Sequence, residues 1–483
     1  MMKRARWYDL ITINLFWLAL NIRNNAVGTL FMPYLVDRFV RPEIRNTALG
    51  GMRTAGLIIA MLVQPAMGLL SDRSTSRFGR RRPFIFVGVL LDLVFLAGIA
   101  LAFNYWSLLI VILLIQFSSN MSHGPLQGLI PDLVPEEQRG MASAVKAIME
   151  LIPLILLGFT IARLVSLGQF TLAVLATGIT LLVLMLLTMV FVKETPQREK
   201  SNVPLAPTML RVLGMLAGIV GGALAGLLVG GVIGALAGLV AWLFAGKSVG
   251  INVAVGVGGV VAMAVAVVAG VWAGTLATIG SEVRRRPTFT WWVVNRLMYF
   301  AAITSIQSFV PYFLMYAFNV NREIATGMTG TLVMFVGLFT LVSALPGGWL
   351  ADRFGLKRMV ALSGALGIIA TLVLLGTIWT PSMALLYVAG AILGLSAGLF
   401  TTTNWALGTR LVPSAEAGRY LGISNLAGAG AGMIGAGIGG PVADTLNAAF
   451  PGLGYFVIFA GYGILFLLSI ISLKGVVDGD SPA

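Results

Sequence analysis

Apolar runs of about 18 residues or more recur from one end of this chain to the other, each long enough to cross about 30 Å of hydrocarbon as an α-helix. Short polar segments that carry most of the charge separate them. The pattern predicts twelve ordinary spans, at roughly 10–36, 46–71, 83–103, 106–131, 140–165, 168–192, 288–317, 327–350, 358–378, 382–408, 418–440 and 453–474. Between the sixth and the seventh lies an apolar, Gly-rich insertion over roughly 209–280. It follows the polar linker KETPQREKSNVP (193–204) and ends at SEVRRRP (281–287). Both flanks are basic and so are expected on the cytoplasmic side. Past Arg211 the only charge in the insertion is Lys247, so an even number of crossings is required, most simply two. Glycines at 214, 218, 222, 226, 230, 234 and 238 form an unbroken small-residue stripe that lets helix backbones touch. The expectation is a hairpin packed on the bundle or on a sister subunit; an amphiphile-binding or regulatory element is the alternative. The apolar run 209–245 would be about 55 Å long as one helix, more than the membrane core, so it must tilt, kink or overrun.

The expected class is an all-α polytopic membrane protein of about fourteen helices. Residues 1–192 form a six-helix half, 193–287 the linker and inserted hairpin, and 288–483 a second six-helix half. Composition agrees: 58% of residues are hydrophobic and 10% charged, against about 25% charged in soluble domains. Barrel strands would alternate polar and apolar, which these runs do not. Net charge is +14. In a membrane protein that excess belongs to loops that set topology, so no nucleic-acid partner is expected. Most basic residues fall in loops placed inside, which puts both termini in the cytoplasm and the protein in the plasma (inner) membrane. Met1–Arg6 leads into a run too long for a signal core, and no cleavable signal is expected. Cysteine is absent and His123 is the single histidine, so a histidine-built metal site is excluded. No metal or cofactor is expected, and neither a phosphate loop nor a nucleophile elbow is present, so no enzyme.

Two loop motifs repeat. GLLSDRSTSRFGRRR (68–82) answers to GWLADRFGLKR (348–358), with Asp72 and Asp352 separated by 280 positions. LVPEEQRG (133–140) answers to LVPSAEAGR (411–419) at an offset of 278. Two pairs at nearly one offset predict two six-helix halves of the same orientation, an arrangement of transporters. Each first motif carries glycine, an aspartate–arginine pair, a second glycine and basic residues: Gly68, Asp72, Arg73, Gly79, Arg80 and Arg81, then Gly348, Asp352, Arg353, Gly355, Lys357 and Arg358. The aspartate can pair with an arginine and accept from amides at a neighbouring helix start. Such a cluster can hold the cytoplasmic side shut in one state and release it in another.

The repeated motif resembles the cytoplasmic loop signature of the major facilitator superfamily, which implies that family's fold. MLVQP (61–65), SDRSTSRFGRRRPFI (71–85) and NMSHGPLQGLIPDL (120–133) are similar to the plant sucrose/proton symporters and their bacterial relatives. That resemblance covers roughly 57–135 and implies proton-driven transport of a saccharide or glycoside. Where those symporters use an aspartate and an arginine on the fourth helix, this chain has Gln116 and Gln127, and Arg23 stands on a first span that is uncharged in the family. The coupling site is therefore expected elsewhere.

Polar residues inside the bilayer are costly unless they face water or one another. They concentrate on four spans. The first offers Asn21, Arg23 and Asn24; the fourth Gln116, Asn120, His123 and Gln127, on one face; the seventh Trp292, Asn295 and Arg296; the tenth Asn404 and Trp405. Amides and indoles suit a sugar's hydroxyls and apolar face, so these twelve are the candidate substrate-binding residues; interhelical hydrogen bonding is the competing role. Four charges lie deep within spans: Arg23, Asp92, Glu150 and Arg296. Glu150, about 15 Å into the fifth span, is the leading proton-coupling candidate, with an arginine partner expected. Asp92 is either a second coupling residue or a structural partner of Arg53 or another buried cation. The favoured function is secondary active transport by alternating access, with a saccharide or glycoside and protons as partners. The alternatives are a proton-driven efflux antiporter for hydrophobic compounds and a non-transporting membrane scaffold that oligomerises through the Gly-rich hairpin.

Overall fold

The computed structural model describes residues 6–194, 205–280, 287–411 and 417–476. Most of the linker 193–204, the basic run 281–286 and the centre of the 411–419 motif lie outside them. Among the described residues there is no strand, and the helices form fourteen consecutive rods.

The first rod is α1 (Trp7–Asn25), a π-helical turn (Ala26–Phe31) and α2 (Met32–Phe39). The π turn follows the polar run Arg23–Asn25 and precedes Pro33, whose missing N–H breaks the regular ladder. Next come α3 (Arg45–Asp72), α4 (Arg82–Leu101), and α5 (Tyr105–Leu126) continued by the short α6 (Leu129–Leu133). Then follow α7 (Arg139–Phe159) continued by α8 (Ile161–Ser166), and α9 (Phe170–Phe191). The insertion is a helical hairpin, α10 (Leu205–Ala245) and α11 (Lys247–Ile279), turned at Gly246 with φ 89°. The last six rods are α12 (Pro287–Phe318), α13 (Arg322–Phe354), α14 (Leu356–Gly376), α15 (Met383–Leu411), α16 (Ala417–Ala449) and α17 (Leu453–Ser472). Among the described residues, twelve helices are long and apolar enough to cross a membrane. The chain is an all-α membrane protein of six, two and six helices.

The chain forms two compact units. The first is Met1–Phe39, Ile58–Val212 and Thr326–Met334; the second is Val40–Leu57, Leu213–Ala325 and Phe335–Ala483. Each unit thus takes in one helix segment from the other sequence half. In the first, α1 packs on α7 and α9, and α4 on α5 and α9. Its core gathers Phe16, Trp17, Ile85, Val89, Leu181 and Met185. The start of α13 joins it because Gly327 and Gly330 let that helix touch Ser166 and Ala162. In the second unit, α12 packs on α16 and α17, and α14 on α15 and α17. Tyr299 stacks on Phe400 at 3.5 Å between ring centres and meets Phe466 edge-on.

The glycine stripe of α10 is spent inside the hairpin. Gly218 faces Gly274, Gly222 faces Gly270, Gly230 faces Gly258 and Gly238 faces Gly250 and Ala254. Side chains at these positions would drive the two backbones apart. The far face of α11 packs on α16, α12 and α17. With 41 residues α10 is about 60 Å long, so it overruns the hydrocarbon core.

Candidate functional site

In the first unit the polar residues of α1 and α5 do different jobs. Arg23, 2% exposed, grips the equally buried Asp92 of α4 with two parallel bonds, Nε to Oδ2 at 2.8 Å and Nη2 to Oδ1 at 2.7 Å. Nη2 also donates to the Ile115 carbonyl and Nη1 to Asn24 Oδ1, while Ser118 Oγ donates to Asp92 Oδ1. Arg23, Asn24 and Asp92 are therefore bound to one another. The buried cation paired with Asp92 is Arg23, not Arg53.

Around Trp17 a second cluster forms. The His123 ring meets it edge-on at 5.2 Å, and Lys146 Nζ lies 4.1 Å from the centre of the Trp17 ring. Lys146 also pairs with Glu150 one helical turn on, at 3.4 Å, both side chains about one-third exposed. Glu150 was expected beside an arginine; its partner is this lysine. Nearby amides turn their NH₂ groups onto their own helices, Asn21 to Trp17 O and Asn120 to Gln116 O. That leaves their oxygens as acceptors. Gln127 is exposed at the end of α5, past Pro125.

In the second unit α12 and α15 share one polar chain. Ser469 receives Asn295 Nδ2 on both its carbonyl and its hydroxyl oxygen, at 2.8 and 2.9 Å. Asn404 Nδ2 donates to Asn295 Oδ1 at 2.7 Å, and Arg296 Nη1 donates to Asn404 Oδ1 at 3.1 Å. Trp292 Nε1 donates to the Asn404 carbonyl, and the Trp292 ring lies against Gly408, which any side chain would displace. The Arg296 guanidinium lies 4.9 Å from the Phe300 ring centre, 5.2 Å from Trp405 and 5.9 Å from Trp292. Trp292, Asn295 and Asn404 are buried, whereas Trp405 is 37% exposed.

The two loop motifs are used unequally. In the first, Arg80 and Arg81 both hold Asp132 from α6, and Arg81 also reaches Asp72 at 2.8 Å and Ser71 Oγ at 3.2 Å. Asp72 was expected to take amides at a helix start as well; those at the start of α4, on Arg81 and Arg82, go to Glu194 instead, at 2.9 and 3.3 Å. Gly79 has φ 102° and touches Glu194, and Gly128 leaves room for the Arg81 head. Gly68 lies against Gly124, and Arg73 is half-buried. In the second motif Gly355, φ 91°, turns α13 into α14, and Lys357 Nζ donates to the Val476 carbonyl at 2.6 Å. Arg353 lies over Trp349 and Phe354, while Asp352 and Arg358 are exposed and Gly348 faces open space.

Four charged residues at these places were missing from the sequence-derived set. Lys146 was legible as an i, i+4 partner of Glu150. Asp132 stands within the NMSHGPLQGLIPDL run (120–133). Glu194 sits at a span end among linker charges and gave no signal of its own. Asp444 lay beyond the expected end of the eleventh span at 440. Its carboxylate takes the Asn46 and Thr47 amides at 3.3 and 2.7 Å, together with the Asn46 amide side chain and the Thr47 hydroxyl, both at 2.7 Å. Among the described residues no group of three or more His, Asp or Glu side chains could hold a metal ion.

The family profile described as Major Facilitator Superfamily matches residues 18–293, 205–436 and 292–478. Proton-associated sugar transporter A of Homo sapiens is 35% identical over 171 residues, 30% of this chain and 22% of the human protein. Sucrose transport protein SUT1 of Oryza sativa subsp. japonica is 33% identical over 118 residues, 20% of this chain and 22% of the rice protein. The chain thus spans about a fifth of the length of the curated relatives it matches. Among solved structures, the D-xylose-proton symporter is similar at a TM-score of 0.64 and 15% identity, over 99% of this chain and 100% of that one. Nucleoside transporter NupG is similar at 0.63 and 13%, over 97% and 100%. At such identities the likeness is one of fold.

Proposed function

The chain belongs to the major facilitator superfamily, and on that premise we propose that it is a proton-coupled transporter of a saccharide or glycoside, working by alternating access in the plasma membrane with both termini cytoplasmic. One observation carries the reading. The polar residues set within apolar helices gather into two aromatic-walled clusters, Trp17–His123–Lys146 with the Asn21 and Asn120 oxygens, and Arg296–Asn404 with Trp292 and Trp405. Free amide oxygens accept from sugar hydroxyls, and indole faces take the apolar face of a pyranose. The names of the human and rice relatives point the same way.

Coupling falls to Glu150. Ionised, it shares the Lys146 ammonium with the Trp17 ring. Protonated, it releases the ammonium to the ring and to the neighbouring amides, so proton uptake changes what the substrate meets. Arg23–Asp92 is bidentate, buried and hydrogen-bonded throughout, so it serves as a brace. The Asp72–Arg81–Asp132 cluster is the cytoplasmic latch, and the 348–358 motif its counterpart.

The test is uptake of a panel of labelled saccharides into proteoliposomes under an imposed pH gradient. Uptake that collapses with a protonophore is expected for at least one sugar. If no member of the panel gives gradient-dependent uptake, the reading fails.

A further inference from the structure

Two arginines lie deep in the first rods of the two six-helix sets, and they are partnered differently. Arg23 presents its Nε–Nη2 edge to Asp92 and closes a bidentate pair. Arg296 is 9% exposed and spends Nη1 on Asn404. Its Nε–Nη2 edge meets no acceptor among the described residues, and Nε is fully buried. Asp92 stands on α4, the third rod of its set. The third rod of the other set, α14, runs LKRMVALSGALGIIATLVLLG and contains no carboxylate at all.

The rest of the surroundings fix this edge without neutralising it. Phe300, Trp405 and Trp292 surround the guanidinium within 6 Å of their ring centres, which favours a cation and leaves its planar donors unmatched. The amide chain Ser469–Asn295–Asn404 allows one orientation only. Asn295 gives its NH₂ to Ser469, so it must accept from Asn404, whose own oxygen then faces Arg296. A desolvated guanidinium with one fork preset and no anion to fill it matches the geometry of a carboxylate.

We propose that the transported molecule carries a carboxylate that docks on the Nε–Nη2 edge of Arg296, with its ring against the exposed face of Trp405: an acidic saccharide in preference to a neutral one. The proposal rests on the transport reading and names the substrate class of the same site.

The test uses the full chain in proteoliposomes with two probes that differ only at C6, methyl β-glucuronide and methyl β-glucoside. Binding is read by quenching of tryptophan fluorescence, and transport by uptake under a pH gradient. The acid is expected to bind about tenfold or more tighter than the neutral glycoside. Arg296→Gln should erase that ratio. Asn404→Asp, which supplies an internal carboxylate to Arg296, should erase it too; it keeps the side-chain volume and serves if Arg296→Gln fails to fold. Equal or weaker binding of the glucuronide overturns the proposal, as does a preference that survives both substitutions. Gradient-driven uptake of the glucoside without preference for the acid overturns the proposal and leaves the transport reading standing. Preferential binding of the acid, with no gradient-driven uptake of either probe or of any member of the saccharide panel, keeps the carboxylate site at Arg296 and overturns the transport reading.

Discussion

Breaking the Arg23–Asp92 pair from one side leaves an unpaired charge on a side chain that is 2% exposed. Asp92→Asn removes the carboxylate that holds two guanidinium nitrogens and is expected to cost about 3–5 kcal/mol, whereas the double change Arg23→Leu, Asp92→Leu should recover most of it. Thermal unfolding in detergent measures both, and a double variant no more stable than the single one would contradict the bracing role. Glu150 calls for a different readout. It is one-third exposed and, among the described residues, bound only to Lys146, so Glu150→Gln should leave folding within about 0.5 kcal/mol and flatten the pH dependence of uptake. An unchanged pH profile removes Glu150 from the coupling role. At this scale the sequence marked which polar side chains stand within the spans, because they stand out among apolar neighbours. Their partners were hidden where they come from packing. Asp92 lies 69 positions from Arg23, and no periodicity links the two.

Helices of this chain are set by two kinds of contact, small-residue faces and carboxylates on helix starts. Gly226 would place a Cβ 2.8 Å from Ala266, whereas Gly221 on the same helix faces open space. Gly226→Val should therefore pry α10 from α11 and lower stability by about 1–3 kcal/mol, while Gly221→Ala should be neutral or gain up to about 1 kcal/mol from helix propensity. Equal effects on the melting temperature would mean that the stripe is not what joins the pair. Asp444 acts as a borrowed cap for α3, taking two first-turn amides and two side-chain donors. Asp444→Ala should cost about 1–3 kcal/mol; no change in the melting temperature would show that water replaces it. Most element boundaries were legible to within a few residues because hydropathy falls sharply at span ends, but α16 continues nine residues past its expected end, to Ala449. The cap was not, since it comes from 398 positions away. The hairpin's partner face was legible only in part: the stripe announced close packing, but not that α11 would fill it.

Topology is a property of the whole chain, and it rests on parity. The basic loop after α3, the linker before α10, the run after α11 and the loop between α13 and α14 are all expected on one side from their shared excess of arginine and lysine. The inserted pair keeps that assignment only if it crosses twice. A single crossing would turn the 348–358 motif outward and separate it from the side on which its repeat at 68–82 stands. The two compact units, each taking in a segment of the other half's sequence, were not legible from a repeat that predicts two self-contained halves. Which piece of a long helix clusters with which neighbours is decided by glycine contacts such as Gly50 with Ala436 and Gly330 with Ala162. The absence of cysteine makes the topology directly measurable, because any introduced thiol is the only one present. Lys247→Cys, at the exposed turn between α10 and α11, should react with a membrane-impermeant maleimide applied to intact cells. Lys193→Cys, at the exposed end of the sixth span, should react only after permeabilisation. Labelling of both from outside, or of neither, would mean that α10 does not cross the membrane, and the inserted pair would not be the two-crossing hairpin that its basic flanks predict.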